Sequence, residues 1–253
     1  MIIRKVFLLL LIGLVSACSL TVENETERIE YPEVEKVELD RSATDQAKTL
    51  TDLGLAYYQL EKYNYALEYL ERALELDNTN GVTYQVIALI NERSNKPEQA
   101  QLYYNKALKV APEDYDIITS YGVFLYQQAR YDEALIELNK VADAPFYKKK
   151  WVAYTYLGYY DLKSAQLRQA EKRFFYALKM NKSYAPALIE MAKIRYQKGD
   201  MMSARAFIER YFGQVEKTPE SLHLAIKIET ALQSYDSAEA YKLELKRNFP
   251  FAE

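Results

Sequence analysis

Two of the residue types that most often do covalent or metal chemistry occur once each in this chain, as Cys18 and His223. A zinc site needs three or four converging His, Cys or carboxylate ligands, and His223 has neither a second His nor a spare thiol to join it. It reads as a surface histidine. A lone cysteine closes no internal disulfide. No nucleophile stands in a pattern that would supply it with a base and an orienting group, and no GxxxxGK[ST] loop is present to cradle phosphate. The acids recur at helical spacing, as solvation of exposed faces requires. The residues therefore predict a protein without catalytic residues, metal or cofactor, and not an enzyme.

The surroundings of Cys18 point to a different chemistry. Arg4 and Lys5 precede an apolar run from Val6 to Val15, and Ser16-Ala17-Cys18 follows. The run is too short to span a bilayer and has the layout of a secretory signal. Val15-Ser16-Ala17-Cys18 resembles the lipobox of bacterial lipoproteins, in which the Cys is lipidated and becomes the mature N-terminus. That implies a signal peptide over residues 1–17 and acyl chains on Cys18, enough for stable anchoring. Ser19 is not the Asp of an inner-membrane retention signal, so the implied address is the periplasmic face of the outer membrane. Residues 18–46 form a lipidated, acidic stretch with nine acids between Glu23 and Asp45 against Arg28, Lys36 and Arg41. Such a stretch predicts a flexible tether of about 30 Å reach, or alternatively a partner-binding peptide. Net charge is −3, which argues against a nucleic-acid partner.

From residue 47 onward a 34-residue unit repeats. In the first copy Leu50, Leu53-Gly54, Tyr57, Ala66, Leu70, Ala73 and Asn78 fall at unit positions 4, 7–8, 11, 20, 24, 27 and 32. The alanine of position 20 returns as Ala66, Ala100, Ala134, Ala170, Ala204 and Ala238. This is the tetratricopeptide-repeat (TPR) pattern of helix–turn–helix units. Small residues let paired helices approach closely, and the larger ones fill the space around the crossing. The reading is all-α: a right-handed superhelix of six hairpins over 47–252, divided as 47–80, 81–114, 115–150, 151–184, 185–218 and 219–252. The third unit carries two extra residues, with Asp143-Ala144-Pro145-Phe146-Tyr147 leading into Lys148-Lys149-Lys150, and is expected to interrupt the stack. The three lysines read as a solvated loop or as a contact for acidic protein or lipid headgroups. Trp151 is expected to pack the restart, the alternative being an exposed anchor. Ile226 replaces the small residue of position 8 in the last unit, so that hairpin is expected to be slightly wider.

In such a superhelix the first helices line an inner groove, mainly through positions 2, 5, 9, 12 and 13. Leu55, Tyr58, Gln59, Val123, Tyr126, Gln127, Thr155, Tyr159, Lys193, Tyr196 and Gln197 fall at these positions. An aromatic, amide-rich surface of this kind suits a segment of another protein, not a small-molecule substrate. The same tyrosines could instead cover neighbouring hairpins. Lys48, Thr51, Asp52 and Leu55 disfavour the mode in which co-chaperone TPRs hold acidic tails.

The more specific stretches, several of them outside the packing code, are Ser120-Tyr121-Gly122-Val123-Phe124-Leu125 with Arg130-Tyr131-Asp132-Glu133-Ala134, the Pro145-Phe146-Tyr147 insertion, Leu188-Ile189-Glu190-Met191-Ala192, Thr218-Pro219-Glu220-Ser221-Leu222 and the Phe249-Pro250 ending. In these, together with the lipobox, the chain resembles the type IV pilus biogenesis/stability lipoproteins, the pilotins of the pilus secretin. The resemblance implies an outer-membrane assembly factor that binds secretin subunits and supports their localisation or multimerisation. It also implies that a disulfide brace found in relatives is missing, since Tyr126 and Tyr160 stand where those chains carry cysteines. The competing expectation is a general periplasmic scaffold that recruits peptidoglycan enzymes or their regulators.

Overall fold

The computed structural model describes residues 42–251, and these form twelve α-helices and no strand. In order they are α1 Ala43–Gln59, α2 Tyr63–Leu76, α3 Gly81–Arg93, α4 Pro97–Val110, α5 Tyr115–Gln127, α6 Tyr131–Asp143, α7 Trp151–Lys163, α8 Leu167–Met180, α9 Ala185–Gln197, α10 Met201–Phe212, α11 Pro219–Ala231 and α12 Tyr235–Asn248. Each odd helix folds back along the even helix after it, and each pair packs on the next. The all-α class of six TPR hairpins is therefore the class observed. The signal peptide, Cys18, the tether as far as Arg41, and Ala252 lie outside the described residues. The last residues allotted to the tether are helical instead. Ser42 accepts the Asp45 N–H at 3.3 Å as N-cap, and the turn it starts already buries Ala47.

The hairpins close where a small residue on the first helix meets a large one on the second. A Cβ added to Gly54 would lie 2.6 Å from Leu70 Cγ; one on Gly122 or Gly158 would lie 2.8 Å from Leu138 or Phe174. These are position 8 against position 24, so that a Cβ at any of the three glycines would force the partner side chain to shift, while the second and fifth hairpins accept buried Ala88 and Ala192 at the same position. All six position-20 alanines are buried at the same crossings. In the sixth hairpin both partners change, with half-buried Ile226 at position 8 and exposed Lys242 at position 24. The apolar bulk has moved from the second helix to the first.

Every first helix ends alike. The N–H groups of Lys62, Lys96, Arg130, Gln166, Asp200 and Ser234 reach back five residues to a helix carbonyl at 2.8–3.0 Å, the Schellman closure. That closure needs one left-handed residue, at unit position 15. Gly199 supplies it without strain at φ 77°, while Glu61, Asn95, Ala129, Ala165 and Gln233 adopt it with side chains at φ 54–59°.

The stack is not interrupted at the insertion. One core cluster runs from Ala88 through Tyr104, Phe124 and Leu138 to Ala153 and Leu157, crossing from the second hairpin into the fourth. The loop 144–150 bulges outward because its ends are tied down. Ala144 is buried, Tyr147 packs on the core, and Lys150 Nζ donates to the Ala142 carbonyl at 2.9 Å. Nor are its lysines simply solvated, since Lys149 Nζ pairs with Asp116 at 3.1 Å. Trp151 packs against the core of the fourth and fifth hairpins, as expected of the residue that restarts the stack.

The acids are not all on exposed faces either. Glu229 is buried and held by Arg205 Nε at 2.8 Å, while the same guanidinium reaches Ser234 Oγ at 2.6 Å, tying the fifth hairpin to the sixth. Asp161 is buried with Arg173 at 3.7 Å, and burial raises its carboxyl above the usual range despite that cation.

Two substitutions of opposite sign test this architecture. Ala134→Leu overpacks a crossing and should destabilise by about 1–3 kcal/mol in urea titration; an unchanged midpoint would contradict the helix register. Ala165→Gly relieves the left-handed strain at position 15 and should stabilise by up to about 1 kcal/mol. A loss of stability there would show that strain is not the dominant cost.

Candidate functional site

The first helices of the first four hairpins border one hollow of about 500 Å³. Its floor is apolar: Leu55 of α1, Val82, Val86 and Leu89 of α3, Val123 of α5 and Val152 of α7. These residues lie at positions 2, 6 and 9 of their units, which share one side of a helix, so successive repeats extend a single stripe. The polar rim is internally bonded. Gln85 Nε2 donates to Ser120 Oγ at 2.8 Å and to the Asp116 carbonyl at 3.2 Å, and Asp114 caps α5 by accepting the N–H groups of Asp116 and Ile117 at 2.9 and 3.2 Å. Glu92 closes one end and accepts the Tyr104 hydroxyl. Burial raises the Glu92 carboxyl, although the Tyr104 hydrogen bond and Arg93 oppose the shift. Tyr147, Lys149 and Trp151 form the wall on the insertion side.

Of the residues anticipated from unit positions, Leu55 and Val123 meet in this hollow. The tyrosines instead largely cover neighbouring rings and core. Tyr126 stacks edge-on with Tyr131 at 5.0 Å and with Tyr156 at 5.3 Å, and Tyr159 meets Tyr156 and Phe174, each at 5.6 Å. Of these, the contact of Tyr126 with Tyr156 joins the third hairpin to the fourth. Tyr160 adds only a 3.4 Å hydrogen bond to Asp132. Tyr58 lies against Tyr63 at 6.0 Å, and Tyr196 packs on the core of the fifth and sixth hairpins. Gln59, Gln127 and Gln197 are exposed at the ends of their helices, and Lys193 Nζ is bonded to Glu190 at 2.7 Å on α9.

Position 5 behaves differently from the groove rule. Thr155 is buried with its hydroxyl on the Trp151 carbonyl at 2.8 Å, and Thr51 is buried against Thr83 at 2.7 Å. A threonine can turn inward because the carbonyl four residues back satisfies its hydroxyl. His223, at the same position of the last unit, is half-buried and not a free surface side chain. Its Nε2 is buried without a hydrogen-bond partner.

Val82 and Leu89 of α3 were legible from the same unit positions applied to the second repeat, whereas Val86, at position 6, was not. Tyr147 and Lys149 were not, because they belong to the insertion and no repeat position describes them. Among the described residues no cluster of three or more His, Cys, Asp or Glu could hold a metal, and no helix is long and apolar enough to cross a membrane. What the hollow offers chemically is an apolar floor for side chains of another polypeptide, bordered by hydrogen-bonding groups.

Comparison with known proteins agrees with this geometry. The tetratricopeptide-repeat family matches at residues 47–80 and again at 87–147. The type IV pilus assembly protein PilF of Pseudomonas aeruginosa is 27% identical over 211 residues, 83% of this chain and 84% of its own. A solved structure of Pseudomonas aeruginosa PilF superposes with a TM-score of 0.78 at 26% identity, over 83% of this chain and 95% of that one. PilW, described as a widely conserved type IV pilus biogenesis factor, superposes with a TM-score of 0.70 at 27% identity, over 82% and 95%. The Cut9–Hcn1 assembly of the APC/C, at 14% identity and a TM-score of 0.69 over 82% of this chain and 41% of that one, shares the fold alone. In repeat pattern and helix pairing the chain is a tetratricopeptide-repeat protein, and over most of its length it is similar to the PilF and PilW proteins of type IV pilus biogenesis.

Proposed function

We propose that this protein is an outer-membrane lipoprotein that assists assembly of the type IV pilus secretin. It would bind secretin subunits through the hollow of the first four hairpins and be held at the periplasmic face by acyl chains on Cys18. The observation that carries the reading is the apolar stripe of Leu55, Val82, Leu89, Val123 and Val152 on consecutive first helices. An unfilled apolar surface of this length is what a polypeptide segment can cover side chain by side chain. A place in pilus assembly is supported by the similarity to PilF and PilW, which are described as acting in pilus assembly and biogenesis, and the secretin as partner is what the sequence resemblance implies. The address rests on the lipobox sequence. A TPR scaffold works by binding, and the internally bonded rim leaves no nucleophile poised beside a base, so the role is non-enzymatic.

Val82→Asp tests the hollow without endangering the fold. Val82 is exposed and lies in the first turn of α3, where a carboxylate suits the helix dipole, yet it would set a charge on the apolar floor. Secretin binding should fall at least about tenfold, as for a central interface residue, while the urea midpoint stays within about 0.5 kcal/mol of the parent. Undiminished binding would remove the hollow from the mechanism. Cys18→Ala should leave the solenoid folded but abolish acylation, move the protein out of the outer-membrane fraction, and deplete secretin multimers scored on denaturing gels. Normal multimers in that strain would contradict the anchoring role.

A further inference from the structure

Phe146, in the loop between α6 and α7, is 92% exposed, whereas the residues around it are fixed. Tyr147 donates its hydroxyl to Asp116 at 2.6 Å, and its ring lies 5.4 Å from that of Tyr115. Lys149 pairs with the same carboxylate, Lys150 is bonded to the Ala142 carbonyl, and Ala144 is buried. The chain thus spends several contacts holding a seven-residue loop in place, and the phenyl ring it presents adds nothing to the core. A loose loop would hide such a ring or let it move. A braced loop with an outward aromatic is preorganised for binding, because little conformational freedom remains to be lost.

The position of the ring says what it would touch. Its chain neighbour Tyr147, about 3.8 Å away along the backbone, forms the wall of the apolar hollow together with Lys149. Phe146 is not itself among the residues lining the hollow; it adjoins, along the chain, the wall that Tyr147 and Lys149 form. Two of the three lysines that follow are engaged within the chain, so the loop does not offer the cluster of free cations that a lipid surface would favour.

We infer that Phe146 is a second anchor for the polypeptide segment that occupies the hollow, contacting an apolar side chain of that segment just beyond the rim. This rests on the groove reading proposed above. Aromatic residues at such places carry a disproportionate share of binding energy.

The test uses full-length lipoprotein in the native envelope, with a photo-crosslinking residue at position 82, 146 or 202. The last is a control, since Met202 is exposed at the start of α10. Positions 82 and 146 should both crosslink to the secretin and position 202 should not. In parallel, Phe146→Ala should weaken binding of detergent-purified secretin about tenfold without moving the thermal midpoint, since the ring supports nothing in the fold. Crosslinking from 82 alone, with Phe146→Ala binding normally, would overturn the inference and leave the groove reading intact. If position 82 fails to crosslink, the groove reading falls and this inference falls with it. If Phe146→Ala spares secretin binding but lowers retention of the Cys18→Ala protein on phosphatidylethanolamine–phosphatidylglycerol vesicles, the ring is a membrane contact and the inference is wrong.

Discussion

The first five hairpins depend on one steric exchange, a small side chain or none on one helix answered by a large one on its partner. Gly54 admits Leu70, Gly122 admits Leu138 and Gly158 admits Phe174, each so closely that an added Cβ would force the partner side chain to shift. The alanines of position 20 let the same crossings close from the other helix. Because dense packing leaves no slack, the exchange sets the spacing within a hairpin. The sixth hairpin departs from this pairing. When Lys242 takes the place of the large apolar residue, Ile226 takes the place of the small one.

Once hairpins are closed in this way, they must stack, since each alone leaves an apolar face bare. Stacking places the first helices side by side and lines up their free positions into the hollow. It also brings groups together that the repeat does not encode. Arg205 reaches Glu229 and Ser234 of the next hairpin, and the rings of Tyr126, Tyr156 and Tyr159 interlock across the third and fourth. The repeat also tolerates strain: five of its six turns place a side-chain-bearing residue in the left-handed region because the Schellman closure demands it there.

The insertion after α6 illustrates how function can be added to such a frame. Two extra residues do not break the stack, because buried Ala144 and the bond from Lys150 to Ala142 return the chain to register. The remaining residues are free to build a wall beside the hollow, and Tyr147 and Lys149 do so through a single carboxylate, Asp116.

The helical class, the repeat phase and the burial of Ala66 through Ala238 could all be read from spacing, because close helix contact permits few residue types and the requirement recurs every 34 positions. Leu55 and Val123 were legible as groove residues for the same reason. The sequence by itself also carries the Cys18 motif, which owes nothing to the solenoid. The tertiary structure alone decided which polar and aromatic side chains face the hollow. Thr155 turned inward because a carbonyl lay within reach, Tyr126 and Tyr159 found other rings, and His223 was half covered. Periodicity specifies the direction of a Cα–Cβ bond, but the final place of a long or bifunctional side chain depends on neighbours that only the folded stack brings near.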